Sequence, residues 1–189
     1  MDFVDEISGL LAIEFLDHKG QVPMALSQFI QKCRTTSFRL EIGSNTTFHS
    51  DGDQVYKSSK MSNLCASERI MQSYSPAYHA NLNGAAERPW RTLMADSRSI
   101  ISSAAQISGT INDASYWPLA MSHATLLRNL TPRGNRKTSA YEMLSGNDPT
   151  YVLLKLQPFG APCFVHDSSP TVQKMDSKAY KACCVGYDI

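Results

Sequence analysis

The sequence predicts an α/β fold for this chain of 189 residues. Three observations predict it. Short β-prone runs open the chain, a run at helical spacing interrupts them, and a long amphipathic pattern follows the last of them. With 42% hydrophobic residues, the chain can bury a core, which suggests one domain with an appendage.

The elements follow in order. Ile7 and the run Leu10 to Ile13, leading to Phe15 and Leu16, read as two short strands within Phe3 to Phe15. Met24 to Ile30 places its apolar residues at helical spacing, and Phe38 to Ile42 alternates as a strand does. Thr46, Thr47 and Phe48 form a further β-like stretch, so Asp51 falls just past a strand end, where sheets commonly carry chemistry. From Ala85 to about Ala104, the positions Ala86, Trp90, Leu93, Ser97, Ile100 and Ala104 step by three and four along one helix face. Glu87, Arg91 and Arg98 each follow by one residue, about 100° around, at the border with solvent. Because proline suits only the first turn, Pro89 predicts that regular helix begins near Arg88 or Pro89. A second helix is expected from about Asp113 to Leu130, with Trp117, Ala120, Ala124 and Leu127 on one face and Pro118 in its first turn. Thr131 to Lys137 is a basic loop. After Pro149, the β-prone runs Cys163 to Val165 and Cys183 to Val185 flank a polar stretch. Tyr74, Tyr116, Trp90 and Trp117 are expected in the core.

A formal charge of +1 leaves any nucleic-acid contact to a local basic face. The five cysteines, Cys33, Cys65, Cys163, Cys183 and Cys184, are odd in number and never two residues apart, which argues against a disulfide framework or a zinc cluster and suggests a reducing setting. His18, His49, His79, His123 and His166 lack ligand-spaced partners. No apolar run reaches membrane-spanning length, and the amino terminus does not read as a signal peptide. Asn45 and Asn129 begin glycosylation patterns that have no use in that setting.

Two acids stand out. Asp51, in His49-Ser50-Asp51-Gly52-Asp53, and Glu87, in Asn83-Gly84-Ala85-Ala86-Glu87-Arg88, have residues 52 to 86 between them. Converging carboxylates can hold two divalent ions, roughly 3.5 to 4 Å apart, that clamp the attacking and leaving oxygens of a phosphodiester. Hard ions such as magnesium prefer those oxygens. The same residues also allow plainer readings. Ser-Asp-Gly-Asp is ordinary turn chemistry, and Glu87 is four residues before Arg91, the spacing of a helical surface pair.

Many short motifs share one order with a known family: Phe3 to Ser8, His49-Ser50-Asp51, Tyr74 to Tyr78, Asn83 to Arg88, Arg91-Thr92-Leu93, Tyr116-Trp117, Asn129 to Pro132, Ser139 to Glu142, Phe159-Gly160 and Val185-Gly186-Tyr187. In these the sequence resembles the integrase core of copia-type LTR retrotransposons, a branch of the retroviral integrase superfamily. The resemblance implies an RNase H-like α/β integrase core over residues 1–108, a helical extension over 109–150, and the start of a small β-barrel module over 151–189. It implies catalytic, metal-binding roles for Asp51 and Glu87 with Mg2+ or Mn2+. It also implies DNA contacts in the loop of Tyr78, His79 and Asn83 ahead of the helix. Arg88, Arg91 and Arg98 on the helix, with Arg128, Arg133, Arg136 and Lys137 further on, are candidate phosphate contacts, the plainer reading being that exposed arginines solvate their helices. Element ends and target DNA are the implied partners, with self-association, an intracellular location, and the nucleus as the place of integration.

The sequence departs from the family in two places. Val55 stands where an acid is usual, and Asp53 reads as a turn residue. The family's first catalytic aspartate sits on the strand before the one that opens this chain, so the expectation is an integrase core lacking its first strand. Asp2, Asp5 and Glu6 match the following strand and its turn, and Asp5 is the substitute considered for the missing acid. Such a core would be inactive alone and would expose a sheet edge. A different class, a non-enzymatic nucleic-acid-binding remnant or domesticated module, would use the arginines without a metal.

Overall fold

A computed structural model describes residues 1–36, 40–76, 84–109, 111, 114–169 and 177–187. The chain divides by compactness into two units, Met1–Arg91 with Arg128–Pro149, and Thr92–Leu127 with Thr150–Ile189.

The first unit opens with β1 (Asp2–Val4) and β2 (Leu11–Ile13), an antiparallel pair in which Phe3 faces Ala12. The turn between them is built by Asp5, whose carboxylate accepts from the backbone N–H of Ser8 at 2.7 Å and from its hydroxyl at 2.6 Å. Asp5 is therefore engaged in holding a turn. At Gly9 the backbone has φ +74°, and a side chain there would begin 3.1 Å from the Arg136 guanidinium. That guanidinium instead donates to the carbonyls of Ile7 (2.8 Å) and Glu6 (3.1 Å), which gives Arg136 of the basic loop a structural task.

Helix α1 (Val22–Thr35) starts with proline in its first turn and buries Val22, Ala25, Leu26, Ile30 and Cys33 along one face. Next come β3 (Thr47–Ser50), α2 (Ser59–Ser67) and β4 (Met71–Tyr74). Ser58 caps α2 by accepting from the Met61 N–H at 3.3 Å. Strands β3 and β4 pair in parallel, with His49 opposite Ser73 and Ser50 opposite Tyr74. Among the described residues, β1–β2 and β3–β4 are separate two-stranded sheets. Both rest on one core, in which Phe3 stacks on Phe29 at 4.6 Å and Phe48 and Tyr56 pack beside Met61 and Cys65. Burial pushes the Cys33 thiol up to about 11, so this cysteine is a neutral core residue at neutral pH.

Leu40 to Ile42 form no strand, although they alternate; Phe38 and Arg39 lie outside the described residues. Leu40 instead packs against Leu10, Ala140 and Leu144. Those last two belong to α5 (Ala140–Ser145), which Ser139 caps by accepting from the Glu142 N–H at 3.0 Å and which ends at Gly146 with φ +72°. Asn129, in the last turn of α4 (Trp117–Leu130), acts as a strand neighbour to β2. Its amide oxygen accepts from the Leu11 N–H at 2.9 Å, and its NH2 donates to the Leu11 carbonyl at 2.7 Å.

Helix α3 (Gly84–Ser108) runs through both units and starts earlier than the sequence implies, with Pro89 inside it. Its stripe buries Leu93, Ser97 and Ala104, with Ile100 half-buried. Trp90 and Trp117, expected in the core, are 37% and 44% exposed. The second unit buries Ala104 of α3, Ala120 of α4 and Ile111 with Phe159. After α6 (Thr150–Leu153), strands β5 (Pro162–His166) and β6 (Ala179–Cys183) form an antiparallel hairpin that begins and ends nearer the amino terminus than the apolar runs suggested.

Candidate functional site

Asp51 is exposed on the residue that leaves β3, and the local sequence explains its loop. One Asp51 oxygen accepts from the Asp53 N–H at 3.1 Å, and Asp53 accepts from the Val55 N–H at 3.3 Å, as short acids do in turns. Asp53 also takes a 2.6 Å ion pair from Lys19. That hydrogen bond holds the Asp53 carboxyl below its ordinary value and raises Lys19. Asp53 is thus a turn and pairing residue. Lys57 closes the other side, its Nζ 3.5 Å from where a Gly52 side chain would begin and 5.5 Å from the centre of the Tyr74 ring.

Half-buried Tyr56 shows what the fold gathers here. Burial first, and then the charges of Asp51, Asp2 and Asp53, raise its phenol above the ordinary value. Asp2, on β1, is thus one of the charges that act on Tyr56, whereas Asp5 holds its turn. One Asp2 oxygen is buried without a partner among the described residues, and desolvation raises its carboxyl.

Glu87 is exposed in the first turn of α3. Among the described residues, it makes no ion pair with Arg91. Arg88, Arg91 and Arg98 are exposed. At i, i+4 and i+11, Glu87, Arg91 and Arg98 fall within about 40° of one another around the helix. Tyr78, His79 and Asn83 lie outside the described residues. Among the phosphate candidates of the basic loop, Arg133 donates to the Arg128 carbonyl at 3.1 Å.

Magnesium keeps several waters and is commonly held by one or two protein carboxylates together with substrate phosphates. Exposed Asp51 and Glu87 supply donors of that type, so their chemistry fits a hard divalent ion. Among the described residues, no group of three or more histidines, cysteines or acids could hold a metal. Sequence spacing gave no sign of Lys19, which the fold brings to Asp53 from before α1, or of the half-buried Tyr56 in the same loop as Asp51. No described helix is long and apolar enough to cross a membrane.

A parallel β3–β4 pair, exposed carboxylates at a strand end and a helix start, and flanking helices define a mixed α/β protein. Solved structures give the class more closely. The catalytic core domain of BIV integrase matches with a TM-score of 0.51 and 22% identity, over 80% of this chain and 88% of that one. The cryo-electron microscopy structure of the simian T-cell lymphotropic virus intasome in complex with PP2A regulatory subunit B56 gamma matches with a TM-score of 0.59 and 16% identity, over 96% of this chain and 60% of that one. No protein-family model matches the chain. At these identities the likeness shows the fold, which is that of integrase catalytic cores.

Proposed function

We propose that this chain is the core of a DNA-integration polynucleotidyl transferase of the copia-like LTR retrotransposon type, and that alone it does not join DNA. The observation that carries this reading is an integrase-core fold with Asp51 leaving β3 and Glu87 exposed in the first turn of α3. Asp51 and Glu87 would hold Mg2+ or Mn2+ in the two-metal manner. Ions bound there would neutralise charge on the phosphodiester oxygens. The chain's own cations, Arg88, Arg91 and Arg98, would grip element-end and target phosphates. The transferred 3′ hydroxyl would attack a target phosphodiester in line, with no covalent protein intermediate. Self-association and a nuclear site of action belong to the same reading. The expected inactivity rests on the family pattern, in which three acids build the clamp, whereas Asp51 and Glu87 are the two matched here.

The test mixes the purified chain with a labelled DNA end and a target duplex in magnesium or manganese. DNA is expected to be retained without a joined product. Formation of joined product would overturn the inactivity, and failure to retain DNA would overturn the nucleic-acid reading. A second reading, a binding module without a metal, is favoured by the turn and ion-pair duties that already occupy the Asp51–Asp53 loop. Asp51→Asn and Glu87→Gln separate the two. They abolish metal binding if the carboxylate site operates, and they leave DNA affinity equal or improved if only phosphate contact matters.

A further inference from the structure

His49 links the two strands that lead into the candidate site. It sits on β3 two residues before Asp51, opposite Ser73 of β4. Its Nδ1 lies 2.8 Å from the Ser73 hydroxyl, and its Nε2 lies 2.9 Å from the hydroxyl of Ser75, one residue past the end of β4. The backbone ladder runs one step beyond this link, where the Ser75 N–H donates to the Ser50 carbonyl at 2.9 Å. In a neutral imidazole one nitrogen donates and the other accepts. Each hydroxyl can play the complementary part, so both bonds form in either tautomer.

All three side chains lie at the accessible surface of a two-stranded sheet, where hydrogen bonds exchange with water and add little to global stability. Their effect is local. Among the described residues the Asp51 carboxylate is held past Ser50 by its bond to the Asp53 N–H, so the direction in which its second oxygen faces depends on how firmly the strand end is fixed. Among the described residues β3 and β4 have no further neighbour strand, and a parallel pair of four residues is a weak anchor unless side chains lock it.

We propose that His49 is the positioning residue of the Asp51 carboxylate, acting through Ser73 and Ser75. This inference rests on the reading of Asp51 as a cation ligand. The experiment titrates the full chain with Mn2+ alone, following free Mn2+ by electron paramagnetic resonance, beside a thermal melt. His49→Phe keeps a flat ring and removes both bonds, and it is expected to weaken Mn2+ binding about tenfold, as loss of outer-shell partners does, with the melt unchanged. His49→Gln, with one donor and one acceptor, is expected to restore part of the loss. The paired Ser73→Ala and Ser75→Ala variant carries the test if His49→Phe does not fold. It is expected to match His49→Phe, and combining them should add nothing further. Wild-type affinity in the serine variant overturns the inference while leaving Asp51 as a ligand. Absence of Mn2+ binding by the wild type, with Asp51→Asn indistinguishable from it, overturns the ligand reading itself.

Discussion

His123 lies in the second unit with 4% of its surface exposed, and its Nδ1 has no partner among the described residues. Its ring meets Phe159 edge-on at 5.6 Å and Tyr187 at 6.2 Å. Burial in this aromatic setting lowers its pKa from the ordinary 6.5. The sign follows from where protons bind. Below about pH 6.5 the unfolded chain takes up a proton that the folded chain refuses, so the contribution to stability is complete above that value and is lost as pH falls toward the lowered folded value. Melting temperature is therefore expected to fall between about pH 7 and pH 5, and His123→Phe should flatten that part of the profile. A His123→Phe profile as steep as that of the wild type would mean that other groups carry the dependence.

At the scale of elements, Gly160 fixes how the turn before β5 meets α3. Its φ is +84°, and an added Cβ would stand 2.7 Å from the Cβ of Ala104, which is itself fully buried. Gly160→Ala is thus both strained and overpacked, and a loss of about 2 kcal/mol is expected. Trp117 lies in this unit and Trp90 in the other, so in a Trp90→Phe background the urea midpoint read through Trp117 checks it. An unchanged midpoint would show that Ala104 yields freely. The elements that were legible in the sequence were those whose burial is written locally. The period of α1, the stripe of α3 from Leu93 onward and the β-prone runs that form β2 and β3 all depend on side-chain order, whereas Ile7, expected in a strand, lies exposed in the turn between β1 and β2. Others depend on partners. Met71–Tyr74 buries no residue fully and becomes a strand because β3 supplies a ladder, whereas Leu40 to Ile42 alternate without one. Helices α2 and α5 are short, and their signals are single caps, Ser58 before one and the Ser139 to Glu142 box before the other. In the candidate site Asp51 and Glu87 announced themselves through neighbouring residues. Lys19 did not, since folding alone brings it to Asp53 in the Asp51 loop.

Over the whole molecule, 18 basic and 17 acidic side chains leave a charge of +1, too small to draw DNA by long-range attraction. Any affinity must come from local arrays, and such contacts release counterions and weaken steeply with salt. On the proposed reading, the exposed Arg91 and Arg98 of α3 form such an array. Arg91 and Arg98 are two helical turns apart, about 10 Å along the axis, close to the rise of three nucleotides on one strand. Each phosphate contact removed should lower the slope of log affinity against log salt by about one. Arg91→Gln with Arg98→Gln is accordingly expected to lower it by about two and to weaken binding evenly across unrelated DNA sequences, with Asp51→Asn as the control that leaves the slope unchanged. Fluorescence anisotropy on a labelled duplex over a series of salt concentrations measures both quantities. A double variant with the wild-type slope would place the DNA contact elsewhere on the molecule and remove the α3 arginines from the proposed interface.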